Sequence, residues 1–184
     1  AFPDNPPYVS TYIEGCGTNP VGSYRRDFEV PSQWDGKRIF LHFEGIYSGA
    51  FVWVNGKYVG YTQGANNVSE FDITDKLETG KVNQVSVQVF RWTDGSYLEG
   101  QDMFHMSGIH RDVYLYATPK TFVRDHYITS TLDPNAQYKN GSMNVELSLD
   151  NRDRLTDEKT ITVSLLSPGG ELIQSKSQKV NFTA

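Results

Sequence analysis

Cysteine is almost absent from this chain. Cys16 is the only one in 184 residues, which excludes an internal disulfide and a thiolate metal cluster built within one chain. It leaves the redox compartment open. Concentrated positive charge is missing too. The formal net charge is −5 and the pI near 5.3, and no Lys/Arg cluster interrupts that balance. Nucleic acid is therefore not an expected partner, because phosphate binding needs a basic surface. No apolar run approaches the ~18 residues of a membrane-spanning helix, so no membrane partner is expected. A helical period of useful length is also lacking, which argues against a parallel α/β fold. No internal repeat is present. The N-terminus shows no signal peptide and begins at Ala1 rather than methionine; a piece of a longer polypeptide is expected.

What is present is β-patterned. Hydrophobic residues make up 38% and charged residues 21%, values suited to a folded globular chain. The first twenty residues carry four prolines and two glycines without periodicity, and an extended arm pinned by Phe2, Tyr8, Tyr12 and Ile13 is expected there. From Gly22 onward, alternation sets in. Strands are expected over Ser23–Val30, Arg38–Phe43, Ser69–Asp72, Val82–Phe90 and Val113–Tyr116. The run FVWVNGKYVGY is the sharpest local signal. Asn55-Gly56 lies between alternating apolar stretches, and both residues tolerate the positive φ of a type I′ hairpin turn. Thr74–Leu77 is expected to form one helical turn capped by Thr74. Evenly spaced strands of this kind predict an all-β sandwich or jelly roll.

Composition shifts at Ala117-Thr118-Pro119, which places a domain boundary near Lys120. Residues 1–120 form the expected first domain and 121–184 the second. Four strands are expected in the second: Phe122–Leu132, Ser142–Asp150, Lys159–Leu166 and Leu172–Phe182. An immunoglobulin-like sandwich needs about seven strands and ~100 residues, so the second domain reads as a partial one. Open strand edges invite pairing. The tail is expected to be poorly ordered or completed by a neighbouring molecule.

Chemistry concentrates between the strands, in RWTDGSYLEGQDMFHMSGIHRD, residues 91–112. Twenty-two residues that fit neither strand nor helix, rich in polar and aromatic side chains, predict an ordered binding loop on a rigid scaffold. Asp94-Gly95 reads as a turn, with Asp94 bonding nearby amides. Trp92, Tyr97 and Phe104 could form a stacking surface for a ligand ring, although such aromatics more often anchor core or loop. His105 and His110 would need a third ligand to hold zinc, so loop bracing is the better expectation. Arg111 and Asp112 suggest a buried ion pair or an interface contact. Spacing alone neither supports nor excludes Glu99 and Asp102 as a glycosidase pair. Taken alone, Asp102 reads as a loop aspartate bonded to its own backbone.

The run RWTDGSYLE-x-QDMF-x-MSGI-x-RDVYLY, preceded by FVWVNGKYVGYTQG and SEFDITDKL in the same order, resembles the N-terminal sugar-binding domain of the large bacterial β-galactosidases of glycoside hydrolase family 2. The likeness is close from about Gly22 to Lys120. It implies a galactose-binding-domain-like jelly roll followed by the start of an immunoglobulin-like domain. It also implies that Asp102, flanked by Gln101 and Met103, ligates sodium and touches galactose; hard cations favour such oxygen ligands. Both catalytic glutamates of the family belong to a later (β/α)8 barrel, so no catalytic residue is assigned here. Magnesium sites are likewise implied for the intact enzyme only. The implied partners are a galactoside, the barrel of the same polypeptide and further copies in a homo-oligomer. A sugar-contacting asparagine of the family lies in a segment this sequence does not contain. His105 stands where the family commonly has arginine, and Gly100 where it often has an acidic residue. Cytoplasm and periplasm both remain open.

Two functions follow as expectations. The first is a non-catalytic part of a retaining β-galactosidase, contributing one wall of the sugar site. The second is a stand-alone carbohydrate-binding or adhesion module, since a jelly roll does not fix function. A glucuronidase or mannosidase relative fits the DGSYLE-x-QDM run less well.

Overall fold

A computed structural model of the chain describes residues 19–64, 66–78, 80–99, 104, 106–151, 154 and 156–183. The fold is all-β. The chain divides into two compact units that meet in sequence at Thr118 and Pro119.

In the first unit, β1 (Val21–Phe28), β7 (Asn83–Phe90), β4 (Gly49–Val54) and β5 (Lys57–Gln63) form an antiparallel sheet in the order β1-β7-β4-β5. A second sheet has the order β6-β2-β9, from Ser69–Asp72, Arg38–Phe43 and Val113–Thr118. Side chains one residue apart point to opposite faces of a strand, and alternation alone therefore sorts these sequences. Ile39, Leu41 and Phe43 of β2 join Ala50, Val52 and Val54 of β4 and Val87 and Val89 of β7 in one buried cluster, closed by Ile46 and Ile73. Val52 and Val54 have no exposed surface at all, and each such side chain stabilises the fold by about 1.5–3 kcal/mol.

The Asn55-Gly56 turn forms as expected. Its residues have φ of 52° and 74°, joining β4 to β5. Asn55 also does more than turn the chain. Its Nδ2 donates to the Lys76 carbonyl (3.0 Å) and to Asn83 Oδ1 (2.7 Å), and its Oδ1 accepts from the Gln84 amide (2.9 Å). Asn83 is almost fully buried, and its Nδ2 donates to the Glu78 and Lys81 carbonyls at 3.2 and 3.0 Å. A buried amide with all these partners stabilises rather than penalises the fold. Strand β7 begins at this residue rather than at the expected Val82, which is exposed.

Several boundaries differ from the sequence expectation. Strand β1 runs from Val21 to Phe28, and Val30 lies beyond it while still packing on the core. Thr74 does not cap its turn. The 3-10 turn Thr74–Lys76 starts after Ile73 without a side-chain cap. The Thr74 hydroxyl instead reaches Asp72 Oδ1 at 2.6 Å and accepts from the Ile39 amide at 2.8 Å, tying the turn to β2.

The second unit consists of two antiparallel hairpins. In one, β10 (Phe122–Leu132) pairs with β11 (Gly141–Asp150); in the other, β12 (Asp157–Leu166) pairs with β13 (Leu172–Phe182). All four strands of the tail are formed, within two residues of the expected limits. The hairpins line a common cleft of about 910 Å³, with Val145, Leu147, Ile161 and Val163 among its apolar walls. Each sheet has only two strands, so every strand of this unit carries an unpaired edge, the arrangement that favours strand addition.

Two outcomes are expected. Burial pushes the Asp72 carboxyl up, but the Thr74 hydroxyl and the Arg38 guanidinium outweigh it and hold the carboxyl below its usual range. Its contribution is therefore present above the unfolded value of about 3.9 and is lost as pH falls through the folded one. Asp72→Asn should cost about 1–3 kcal/mol in urea unfolding at pH 7, with the deficit closing at strongly acid pH. The open edges should make the full chain self-associate as concentration rises. Size-exclusion chromatography against a 1–120 fragment checks this, and two identical clean monomers would exclude pairing through the tail.

Candidate functional site: a framed loop

The loop after β7 is held at its entry by backbone and side-chain hydrogen bonds. The Arg91 amide donates to the Pro20 carbonyl at 3.0 Å. Asn19 then clamps Trp92 from both sides: its Nδ2 donates to the Trp92 carbonyl (2.8 Å) and its Oδ1 accepts from the Trp92 amide (3.0 Å). One side-chain amide thus supplies the pair of bonds that a neighbouring strand would give. The Arg91 guanidinium sits over the Trp92 ring, 5.1 Å from its centroid.

A chain of small hydroxyls follows. Thr93 Oγ1 donates to Ser48 Oγ (3.1 Å), and Ser48 Oγ donates to the Phe90 carbonyl (3.2 Å). Ser96 Oγ accepts from the Thr93 amide at 3.1 Å, and the Ser96 amide returns a bond to the Thr93 carbonyl at 3.0 Å. Ser48 and Ser96 are both buried; only small side chains fit this junction while still bonding. Asp94 Oδ1 accepts from the Gly95 amide (3.2 Å), as expected of a turn aspartate, and from Gln63 Nε2 (2.7 Å). Gln63 Oε1 in turn accepts from the Tyr61 hydroxyl at 2.8 Å. This relay binds the loop to the end of β5.

The loop is not wholly irregular. Gly95–Leu98 forms one helical turn, α1, and Gly108–Ile109 forms a short strand, β8, antiparallel to β3 (Ile46–Tyr47). The sequence expectation of neither helix nor strand is corrected at both places. Such short elements lack the period that would reveal them; α1 is made by the Asp94 and Ser96 bonds and β8 by its partner. Gly108 has a φ of 108°, and a Cβ there would stand 2.8 Å from the Tyr24 hydroxyl. Only glycine fits.

Neutral phenols flank the loop. Burial pushes the Tyr47 hydroxyl above its usual pKa; the Ser96 hydrogen bond opposes this and the nearby Glu99 charge adds to it. Burial, reinforced by Asp94, does the same to Tyr61. Both therefore remain hydroxyl donors or acceptors at neutral pH.

The residues singled out from sequence divide sharply. Asp102, with Gln101 and Met103, lies outside the described residues, as do Gly100, His105 and Cys16. The same holds for the arm up to Thr18. Trp92 is half-buried and serves as a loop anchor, whereas Phe104 is 91% exposed; no ring contact joins the two. Arg111 and Asp112 are both exposed, which corrects the expectation of a buried ion pair. Arg111 Nη1 donates to the Glu44 carbonyl at 3.4 Å, and the Glu44 amide donates to the Asp112 carbonyl at 3.0 Å. His110 is partly buried, with Nδ1 enclosed and unpaired, and its ring fills the space beside Gly45. Among the described residues no group of three or more His, Cys, Asp or Glu side chains could hold a metal ion. Asn19, Ser48 and Ser96 were not legible as loop-holding residues. Their types recur throughout the chain, and only their partners, 73, 42 and 3 residues away, give them that role.

The sequence model of the glycosyl hydrolases family 2 sugar binding domain matches residues 6–119, which include the entire loop and the sandwich that frames it. The chain belongs to glycosyl hydrolase family 2. Among similar family members, the β-galactosidase of Priestia megaterium is 39% identical over 97% of this chain. That of Clostridium acetobutylicum is 43% identical over 78%. The chain spans only 16% and 15% of the length of these relatives. Among solved structures, a family 2 member from Bacteroides cellulosilyticus covers 97% of the chain, with a TM-score of 0.74 and 22% identity, and the chain covers 23% of it. The Bacteroides uniformis β-glucuronidase covers 90%, with a TM-score of 0.78 and 23% identity, and the chain covers 20% of it. These structures share the family 2 fold of this chain.

The Asn19 clamp carries a direct test. Asn19→Ala should destabilise the loop entry by about 1–2 kcal/mol. Amide hydrogen exchange should then quicken at Trp92 and the residues after it, while Val52 and Val87 in the core stay protected. Unchanged exchange at Trp92 would show that the clamp does not hold the loop.

Proposed function

We propose that this chain is the N-terminal, non-catalytic part of a retaining β-galactosidase, and that its loop supplies one wall of a galactoside site completed by a catalytic barrel elsewhere in the same polypeptide. The observation that carries this is the family match over residues 6–119, with relatives named β-galactosidase at 39% and 43% identity. In this reading Asp102 contacts galactose and gives a carboxylate oxygen to a sodium ion. The other ligands come from outside the described residues. Magnesium belongs to parts of the polypeptide beyond this sequence, and homo-oligomerisation to the intact enzyme.

Chemistry and framing support the assignment. A loop carboxylate suits both a hard cation and a sugar hydroxyl. The described residues on either side of Asp102 are fixed, by the Ser48–Thr93–Ser96 bonds before it and by β8 on β3 after it. Groups on rigid supports lose less entropy when they bind. Retaining hydrolysis requires two carboxyls about 5 Å apart across the scissile bond; Glu99 and Asp102 are not assigned that role, because the family resemblance places both catalytic glutamates in the barrel.

The purified 184-residue chain should give no turnover of a chromogenic β-galactoside; clear turnover would overturn the reading. In the longer enzyme, Asp102→Asn should weaken galactoside binding about tenfold or more, as expected for losing a charged hydrogen-bond partner. A stand-alone binding module predicts instead a micromolar galactose or lactose affinity for the isolated chain, about −8 kcal/mol, which calorimetry would detect.

A further inference from the structure

The outer face of the four-stranded sheet carries a second candidate site, remote in sequence from Asp102. Outward positions alternate with the core valines, so Gln88 and Ser86 of β7 face away from Val87 and Val89. By register, Phe51 of β4 lies opposite Gln88 and Trp53 opposite Ser86. On the other side Ser23 of β1 pairs with Gln88 and Arg25 with Ser86. Large residues on β4 and small or flexible ones on β7 and β1 leave a trough of about 500 Å³, walled by Trp53 and lined by Ser23, Arg25, Ser86 and Gln88.

Two features of this trough point to a ligand. Trp53 is held in place rather than mobile: its ring packs against Phe51 at 6.0 Å and against Tyr58 at 6.0 Å, centroid to centroid. The polar side chains around it are left unused. Among the described residues, Ser23, Arg25, Ser86 and Gln88 form no side-chain hydrogen bond, although Ser86 and Gln88 are half-buried in the middle of the sheet. Elsewhere on the same sheet the comparable polar residues are paired, as Gln84 is with Asp27 at 2.7 Å. The trough therefore combines one fixed indole wall with two hydroxyls, an amide and a guanidinium.

We infer that this trough binds a pyranose ring of a saccharide. The axial C–H face of a pyranose is apolar and packs on an indole, whose π face is electron-rich. Its equatorial hydroxyls match the unused donors and acceptors on the floor and far wall. Aromatic residues and arginine also mark protein-docking faces, but here they flank a polar floor of Ser86 and Gln88 on which a ring with several hydroxyls can bond. The volume lies within the range of small-molecule sites and takes one ring. Open to solvent among the described residues, the trough suits weak, millimolar binding that recruits or orients a longer saccharide.

The test is a nitrogen–proton NMR titration of the intact 184-residue chain with methyl β-D-galactopyranoside and with lactose. The three tryptophans, Trp34, Trp53 and Trp92, give three indole signals. The Trp53 signal should move saturably in the millimolar range while that of Trp34 stays fixed. In Trp53→Ala, which lacks that reporter, the sugar-induced shifts of the Ser86 and Gln88 backbone amides beside it should be lost. Gln88→Ala and Arg25→Ala should weaken binding about three- to tenfold while the spectrum remains that of the folded chain, which guards against loss of fold in the tryptophan variant. Asp102→Asn should leave the Trp53 response intact, so failure here and failure of the loop assignment are distinguishable. A Trp53 signal unmoved at saturating sugar would overturn the inference. So would sugar-induced amide shifts at Ser86 and Gln88 that survive unchanged in all three variants, or burial of Trp53 under another domain in the longer enzyme.

Discussion

The structure of the first unit depends on one packing constraint: the β2 face of Ile39, Leu41 and Phe43 must meet Val52 and Val54 of β4 and Val87 and Val89 of β7 without leaving space between the sheets. Close-packed interiors transmit displacement rather than absorbing it. With that interface filled, the end of β7, from which the loop departs, is fixed beside Gly49 at the start of β4, with Gln63 of β5 on its other side. The buried Asn83–Asn55 network performs the corresponding task at the opposite end of the sheet, locking the hairpin turn to the start of β7. Hydrophobic area supplies most of the free energy. The polar network specifies register.

The loop is framed by a different kind of interaction. Few large side chains stabilise its entry; hydroxyls and amides of small residues do so, Asn19 and Ser48 through partners distant in sequence and Ser96 through Thr93 three residues before it. Ser48 and Ser96 occupy sites where a longer side chain would not fit and an apolar one would leave a buried donor unpaired, which costs about 1–3 kcal/mol. The result is a loop whose edges are rigid while Leu98, Phe104 and Met106 project into solvent. The trough on the outer sheet is built by the opposite means, from a fixed aromatic wall with its polar groups left unpaired.

Much of this architecture was legible in the residues. Period-two alternation located the strands because burial on one face is the dominant local demand. The tail strands were legible for the same reason, as Val145, Leu147 and Leu149 alternate with exposed residues along β11. The Asn55-Gly56 turn was readable because few residue pairs accept two positive φ values in succession. Other features were not readable. Thr74 has the composition of a cap, but its hydroxyl is taken by Asp72 at the end of β6 and by the Ile39 amide of β2. Arg111 and Asp112 look like an ion pair in sequence, yet their positions at the start of β9 leave both in solvent, where pairing contributes little.

The sequence by itself determined the all-β class, the strand positions, the hairpin turn and the membership of glycosyl hydrolase family 2. All of these depend on local pattern or on long runs of matching residues. Only the tertiary structure decided how the loop is held, which serines and asparagines hold it, and where an indole meets a row of unused polar groups. Those properties arise from pairs of residues brought together by strand register across dozens of positions, and no local pattern records which distant residue will lie opposite.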